Sequence, residues 1–422
     1  MLRHFGTPIS DEMLFVVPDP RHASARRLMH PFLSGLPTTE TVLRVVHAEL
    51  GGGAPDAATA AAAADGSAPT RWLDRLDALA AAGTPVDVDD LMTEFTLGVM
   101  HHLLYSCAPG AAEVRATARM LLGLTADMMA AGGHPFPNLT GRALMASMRS
   151  TGDHFVAYVA KMEARRRSEY AAGTAAPTPP RDMLDVLLAD LDKPGGAYEG
   201  DRRRVAADLL FYQLGGYDTT AHSIAWTIHA LCDHPDVEAR LVSELEAALP
   251  APGTPLTSVH LAALPYTDAV WKESLRLFPP APLGTVRKLD ADLRLPSDGS
   301  IIPAGTTVNL PVFPVHRNGA AYPQPATFDP ARWLPATAPG AGGRHSPADR
   351  RTARAHFMPF SSGPRACPGQ NMAAVEAKAV LATLFRRFRF ERVGASAEVV
   401  LDNAISLRPS GLRVTLHRRE GT

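Results

Sequence analysis

Cysteine is scarce in this chain of 422 residues: there are three, Cys107, Cys232 and Cys367. They lie far apart and match no zinc spacing, so neither a zinc site nor a disulfide framework is encoded. So sparse and odd a set fits a reducing compartment, and a cytoplasmic location is the expectation. Charge of one sign is lacking as well: 42 Lys and Arg stand against 43 Asp and Glu. The net charge of −1 argues against a nucleic-acid partner. No apolar run reaches the length of a bilayer span, and residues 1–30 carry no signal-peptide pattern, so no membrane span is expected in this chain. A phosphate-binding loop is missing too. The Ala/Gly-rich stretch 51–69 lacks a Gly-Lys-Ser/Thr ending and reads as a low-complexity connection.

What is present concentrates around one cysteine. Residues 360–369 read Phe-Ser-Ser-Gly-Pro-Arg-Ala-Cys-Pro-Gly, and a helical run over 370–388 follows. A cysteine just ahead of a helix N-terminus is biased toward thiolate, because free N–H groups and the helix dipole stabilise negative charge. Arg365 adds a cation nearby, while Gly363 and Gly369 let backbone approach a bulky planar object that a Cβ would strike. A thiolate held open in this way suits an axial ligand to haem iron, with Cys367 as the metal ligand. A buried structural cysteine in a Gly/Pro turn is the plainer alternative. Five positions, however, fit Phe-x-x-Gly-x-Arg-x-Cys-x-Gly, whose chance occurrence is on the order of 10⁻⁴. The pattern, Phe360 through Gly369, resembles the haem-binding loop of the cytochrome P-450 superfamily.

Elsewhere the chain reads mostly as helix. Helices are expected over Trp72–Ala82, Val88–Tyr105 and residues 21–29, 111–131 and 139–170; Pro8, Pro18 and Pro20 argue against a long one in 1–20. His101 and His102 are expected to pack or face solvent. The longest helical segment, 201–233, is apolar on most faces and should be buried. Gly215 and Gly216 in its middle, ahead of Tyr217-Asp218-Thr219-Thr220, cost roughly 1 kcal/mol each relative to alanine. That cost marks either a site or a break, with Gly216 ending one helix and Asp218 capping a second. Residues 266–278 carry Glu273 and Arg276 among Trp271, Leu275, Leu277 and Phe278, so burial of the pair is expected. Strand-like periods follow over 285–294, 301–302 and 306–315, and again over 399–417 with a turn at Pro409-Ser410-Gly411.

Several of these stretches extend the resemblance. Gly-Gly-x-Asp-Thr-Thr looks like the family's oxygen-binding kink, where Thr219 would bond the distal oxygen, Asp218 would relay protons and Gly215 would leave room over the iron. His22 and Arg26, four apart on one face, resemble the pair that clamps haem propionates, and Arg287 stands where another propionate-binding arginine is placed. Glu273-x-x-Arg276 with Arg332 resembles the family's buried triad. Residues 111–170 correspond to the lid over the substrate channel, and Ile405-Ser406 to a pocket loop. The resemblance implies a mostly α fold with a small β region and a long central helix over the haem, residues 1–422 forming one domain. It implies a haem b monooxygenase acting on a small apolar substrate, with electrons from a separate ferredoxin or flavoprotein reductase. A truncated inactive member, a peroxide-driven enzyme and a non-catalytic haem-binding protein are the alternatives. Arg350, Arg351 and Arg354 before the loop, and Lys378, Arg386, Arg387 and Arg389 after it, would suit an acidic electron donor. In the family a helix and two strands precede the segment that residues 21–29 resemble. The expectation is therefore that this chain is N-terminally shortened, with the edge of the 306–315 strand left unpaired.

Overall fold

The structure, a computed structural model, describes residues 19–34, 36–51, 72–106, 142–172, 180–251, 254–335, 345–395, 398–403 and 406–419. The connection at 52–69, most of the expected lid, Cys107 and Ile405 lie outside them. The chain divides into two compact units, one from residues 1–264 with 368–422, the other from 265–367.

The first unit opens with α1 (Asp19–Leu33), α2 (Leu36–Glu49), α3 (Trp72–Ala82), β1 (Val86–Asp87), α4 (Val88–Tyr105), α5 (Arg142–Ala171) and α6 (Met183–Leu191). Then come α7 (Arg202–Asp233), α8 (Pro235–Ala248) and α9 (Ser258–Ala262). Pro20 does not exclude helix as expected: it sits in the first turn of α1, where no N–H donor is needed. Asp87 starts α4 by accepting from the Asp89 and Asp90 N–H groups, and Asp201 caps α7 through Arg204 N–H. Helix α7 is the longest among the described residues and is buried along most of its length. It runs unbroken through Gly215 and Gly216, so the break-and-recap alternative fails. Gly216 is there for packing, since a Cβ would run into the Met100 side chain of α4.

The second unit begins with α10 (Pro265–Leu277), followed by β2 (Thr285–Lys288), β3 (Leu293–Arg294), β4 (Ile301–Ile302) and β5 (Thr307–Leu310). β2 pairs antiparallel with β5, Thr285 opposite Leu310, and β3 pairs with β4. The expected strand 306–315 is cut short: Pro311, with no N–H for a ladder, starts α11 (Val312–Val315) instead. Val286 and Leu310 on the β2–β5 ribbon, and Leu283 just before it, are exposed. After a 3-10 turn at Pro330–Trp333 comes α12 (Pro347–His356).

The chain then returns to the first unit with α13 (Gln370–Arg387), β6 (Phe388–Arg392), β7 (Val400–Asn403), β8 (Leu407–Ser410) and β9 (Arg413–Arg418). The helical run stops one residue earlier than expected. Phe388 and Phe390 point inward at strand spacing, and β6 pairs with β9, which also holds β1. Helices α4 and α13 and strand β8 all pack on α7.

The second unit is held by a carboxylate. Glu273 and Arg276 have no exposure at all, and Arg332 is 3% exposed. Glu273 Oε1 accepts from Arg276 Nη2 at 2.8 Å, Arg332 Nε at 3.2 Å and Asp329 N–H at 2.9 Å. Its Oε2 accepts from Arg276 Nε and Trp333 Nε1, each at 2.9 Å. Arg276 spends its remaining donors on the carbonyls of His316, Pro325 and Thr327. The pair is thus part of a closed hydrogen-bond set, and ideal pairing is what makes burying such charges tolerable.

Two outcomes follow for stability. Gly284 has φ +67, and a Cβ there would collide with the Leu310 carbonyl oxygen. Gly284→Ala should therefore cost about 1–3 kcal/mol in denaturant unfolding, through backbone strain at the foot of the β2–β5 ribbon. Glu273→Ala or Arg276→Ala should cost more, about 3–5 kcal/mol, because each leaves a buried charge unpaired. The check is the yield of soluble chain and its melting temperature, with losses expected before any effect on chemistry can be measured.

Candidate functional site

In the second unit the cysteine loop folds back on itself. Cys367 N–H donates to Phe360 O at 2.9 Å and Ala366 N–H to Gly363 O at 3.0 Å, closing the loop over a short 3-10 turn, Gly363–Arg365. Two residues take left-handed backbone to make that turn, Gly363 at φ +75 and, against ordinary preference, Ser361 at φ +60. Gly363 therefore has a conformational reason to be glycine, and a Cβ on it would meet no atom within 4 Å. Gly369 adopts ordinary backbone at φ −88 and is the N-cap of α13, so its role differs from that of Gly363. The ring of Phe360 lies 6.0 Å from that of Trp271 on α10. Cys367 itself is exposed, while Arg365 is half-buried. Arg287, on β2, turns one guanidinium nitrogen to its neighbour's carbonyl, Val286 O, at 3.0 Å.

Cys232 is the contrast. It is mostly enclosed at the end of α7, its sulfur 3.7 Å from Phe390 O, and burial pushes its thiol up to about 12. A thiol in that environment stays protonated and is no metal ligand.

In the first unit the middle turns of α7 carry the residues singled out by pattern. Thr219 is half-exposed, and its hydroxyl donates to Gly215 O at 2.7 Å, one turn back. Gly215 is exposed, and a Cβ on it would meet nothing within 4 Å. On the other side of the helix, Thr96 of α4 donates to Tyr217 O at 2.9 Å. Asp218 is 7% exposed and accepts from Ser406 Oγ at 2.5 Å. Ser406, assigned to a pocket loop by resemblance, is thus a buried partner of Asp218. His22 is buried on α1 and Arg26, one turn on, is half-buried. Sequence reasoning missed His222 and Asp89, which join Ser406 behind Asp218. His101 and His102 are side-chain partners of Tyr158 and Glu49.

The basic cluster needs a correction. Arg350 is 6% exposed and donates to the carbonyls of His345, Ala331 and Leu334, so it is structural and offers nothing to a partner. Arg351 and Arg354 are exposed. In the first unit, Arg387 is paired with Asp77 and Arg389 with Glu391.

These residues fit a haem. Its iron needs an accessible thiolate, and Cys367 is exposed just ahead of a helix. Its flat macrocycle needs surfaces without side chains, and Gly363 of the same loop borders space that a Cβ could enter unopposed.

Comparison with known proteins agrees. The family model described as Cytochrome P450 matches residues 70–416. Cytochrome P450 4A24 of Sus scrofa is 37% identical over 234 residues, which is 54% of this chain and 43% of that protein. Cytochrome P450 4c3 of Drosophila melanogaster is 35% identical over 240 residues, 56% of this chain and 42% of that protein. The matched region is thus less than half the length of these relatives. Among solved structures, a cytochrome P450, CYP102L1, superposes with a TM-score of 0.77 at 22% identity, covering 98% of this chain and 85% of that one. A retinoic acid bound cyanobacterial CYP120A1 gives 0.74, also at 22% identity, covering 97% and 82%. At such identity the two structures speak for the fold, which is the mostly helical one with small sheets. The family match covers well over half of the chain, and the chain belongs to the cytochrome P450 family.

Proposed function

We propose that the chain is a haem b monooxygenase that inserts one oxygen atom of O₂ into a small apolar substrate, with Cys367 as the residue that would ligate the haem iron. The observation that carries this is the exposed Cys367 on its self-closed loop, against the half-buried Cys232, whose thiol is pushed up to about 12. Haem, when bound, supplies the redox chemistry, and a thiolate ligand favours O–O cleavage by donating electron density. What the protein does is hold, orient and protonate.

Holding falls to the Cys367 sulfur and to the basic side chains His22, Arg26, Arg287 and Arg365, which would meet the carboxylates of the macrocycle. Phe360, Gly363, Gly369 and Gly215 would give the ring its flat contacts. Asp218 and Thr219 are the catalytic pair. The Thr219 hydroxyl hydrogen is committed to Gly215 O, so its Oγ1 is free to accept, and it donates elsewhere only by leaving that carbonyl. Asp218 Oδ2 is pinned by Ser406, which leaves Oδ1 as the atom that can hand a proton on. Electrons would come from a separate ferredoxin or flavoprotein reductase, with the exposed Arg351 and Arg354 as candidates for meeting an acidic surface. No helix among the described residues is long and apolar enough to cross a membrane.

The decisive test is the absorption spectrum of the reduced, CO-bound protein. Cys367→Ser should abolish the thiolate-type band, and Cys232→Ser should leave it in place. A normal band in the Cys367 variant would overturn the assignment.

A second outcome concerns the pair on α7. Thr219→Ala should keep haem and substrate binding but divert reducing equivalents to peroxide, read as product formed per reductant consumed. Asp218→Asn should slow turnover by about 10²–10⁴, the usual worth of general acid–base help. Fully coupled, fast variants would leave Gly216 as a packing feature and Gly215 with no catalytic site to serve.

A further inference from the structure

Asp218 sits at the end of a buried polar chain. Ser406 Oγ donates to Asp218 Oδ2 at 2.5 Å, and the same hydroxyl is bonded to His222 Nδ1. His222 Nε2 lies 3.0 Å from Asp89 Oδ1. The members come from three parts of the first unit: Asp89 from the first turn of α4, His222 one turn beyond Asp218 on α7, and Ser406 just before β8. Trp226 Nε1 donates to Leu407 O at 2.9 Å and so fixes the segment that carries Ser406. The side chains of His222 and Asp89 are 4% and 13% exposed, so water does not compete for these contacts.

Two hydrogen arrangements are open to this cluster, because the Ser406 hydroxyl can donate to Asp218 or to Nδ1. Ser406 has a single hydroxyl hydrogen, and when Asp218 receives it, the oxygen must accept from Nδ1–H. Nε2 lies opposite the Asp89 carboxylate, and with a hydrogen on each nitrogen the ring is an imidazolium between Asp89 and the Ser406–Asp218 pair. Burial alone would discharge it, but the Asp89 contact and the charges of Asp218 and Asp89 outweigh burial and raise its pKa above the ordinary value. The charged groups facing it are Asp89 from α4, Asp218 from its own helix and Arg408 from β8, the last opposing its charge. Arg408 is itself paired with Asp402 at 2.6 Å, and Asp87 and Asp90 add negative charge around Asp89.

We propose that His222, held by Asp89, is a positioning residue that stores the proton of Asp218 and sets its charge through Ser406. The inference rests on the reading of Asp218 as the proton donor of α7. One proton is transferred in net: Nδ1–H passes to Ser406 Oγ as the Ser406 proton passes to Asp218 Oδ2, and the carboxyl group turns about its Cβ–Cγ bond before handing that proton on. Imidazolium and carboxylate become imidazole and carboxylic acid, the total charge is unchanged, and Nε2–H stays against Asp89. A solvent proton then restores the imidazolium. The pH sense follows from the raised pKa. The charged ring contributes fully below about 6.5, its unfolded value, and that contribution is lost as pH rises through the higher folded value. Above it, the hydroxyl can turn to the bare Nδ1 and leave Asp218 without its partner.

The test has two arms on the full-length, haem-loaded chain. In the first, histidine side chains carrying ¹⁵N are titrated by NMR in the diamagnetic, reduced CO-bound state, and the His222 signal is identified by its loss in His222→Gln. It should titrate above pH 6.5 and fall toward or below that value in Asp89→Asn. In the second, kcat, KM and product per reductant are followed across pH. His222→Gln and Ser406→Ala should each lower kcat about 10–100-fold, the range typical of groups that orient a reactive neighbour, with KM unchanged and the alkaline fall-off lost. If Asp218→Asn slows turnover while His222→Gln and Ser406→Ala keep the parent kcat and pH profile, the clamp is overturned and Asp218 retains its role. If Asp218→Asn has no effect, the reading of Asp218 fails and the titration alone decides the clamp. A His222 that titrates at or below 6.5, or that is indifferent to Asp89→Asn, overturns it in either case.

Discussion

A helix buried on nearly every face must be covered on nearly every face, and α7 imposes that requirement on the whole first unit. From Val205 to Leu231 it offers almost no polar surface to water. Helix α4 therefore lies along it, α13 and β8 take other sides, and the close approach of α4 is made possible by Gly216 beneath Met100. The one stretch that stays open is the turn at Gly215 and Thr219. A buried helix with a single open turn concentrates whatever chemistry it has in one place. Among the polar residues that it buries, Asp218 is bonded to Ser406, and His222 meets Ser406 and lies beside Asp89.

Two different solutions to burying charge coexist in the chain. Around Glu273 the acceptors and donors are matched so completely that no proton has anywhere to go. Around Asp218 one hydroxyl links an acid to a histidine ring, and the same atoms admit two proton arrangements. The first arrangement suits a support and the second a group that must change charge. Which of the two a cluster follows is visible only when every partner is counted.

Much of the helical frame was legible in the sequence because its signals are local. Trp72–Ala82 and Val88–Tyr105 have the expected ends, and 201–233 reads correctly because its apolar residues surround the whole cylinder. The cysteine loop was legible for a similar reason, since its turn chemistry and its cysteine lie within ten residues. The misses came from interactions that adjacent residues do not encode. Val312–Val315 reads as strand by side-chain type, yet Pro311 removes the ladder donor. Arg350 reads as a surface cation, and only the fold brings the Ala331 and Leu334 carbonyls to it. His222 reads as one more residue of a buried helix until Asp89 and Ser406 arrive from either side of it in the chain. Long-range polar contacts of this kind have no period and no spacing.

The reach of the Glu273 cluster bears on how the chain is made. Helix α10 carries both charges of the pair, but the groups that allow them to be buried come afterwards: the His316, Pro325 and Thr327 carbonyls, the Asp329 amide, Arg332 and Trp333. As a nascent chain leaves the ribosome, α10 emerges with its carboxylate and guanidinium still needing water. It cannot sink into a core until Trp333 has emerged as well. Assembly of the second unit is therefore tied to translation of its later half, and a ribosome paused between Arg276 and Trp333 would expose a helix that is both apolar and charged to chaperones or proteases.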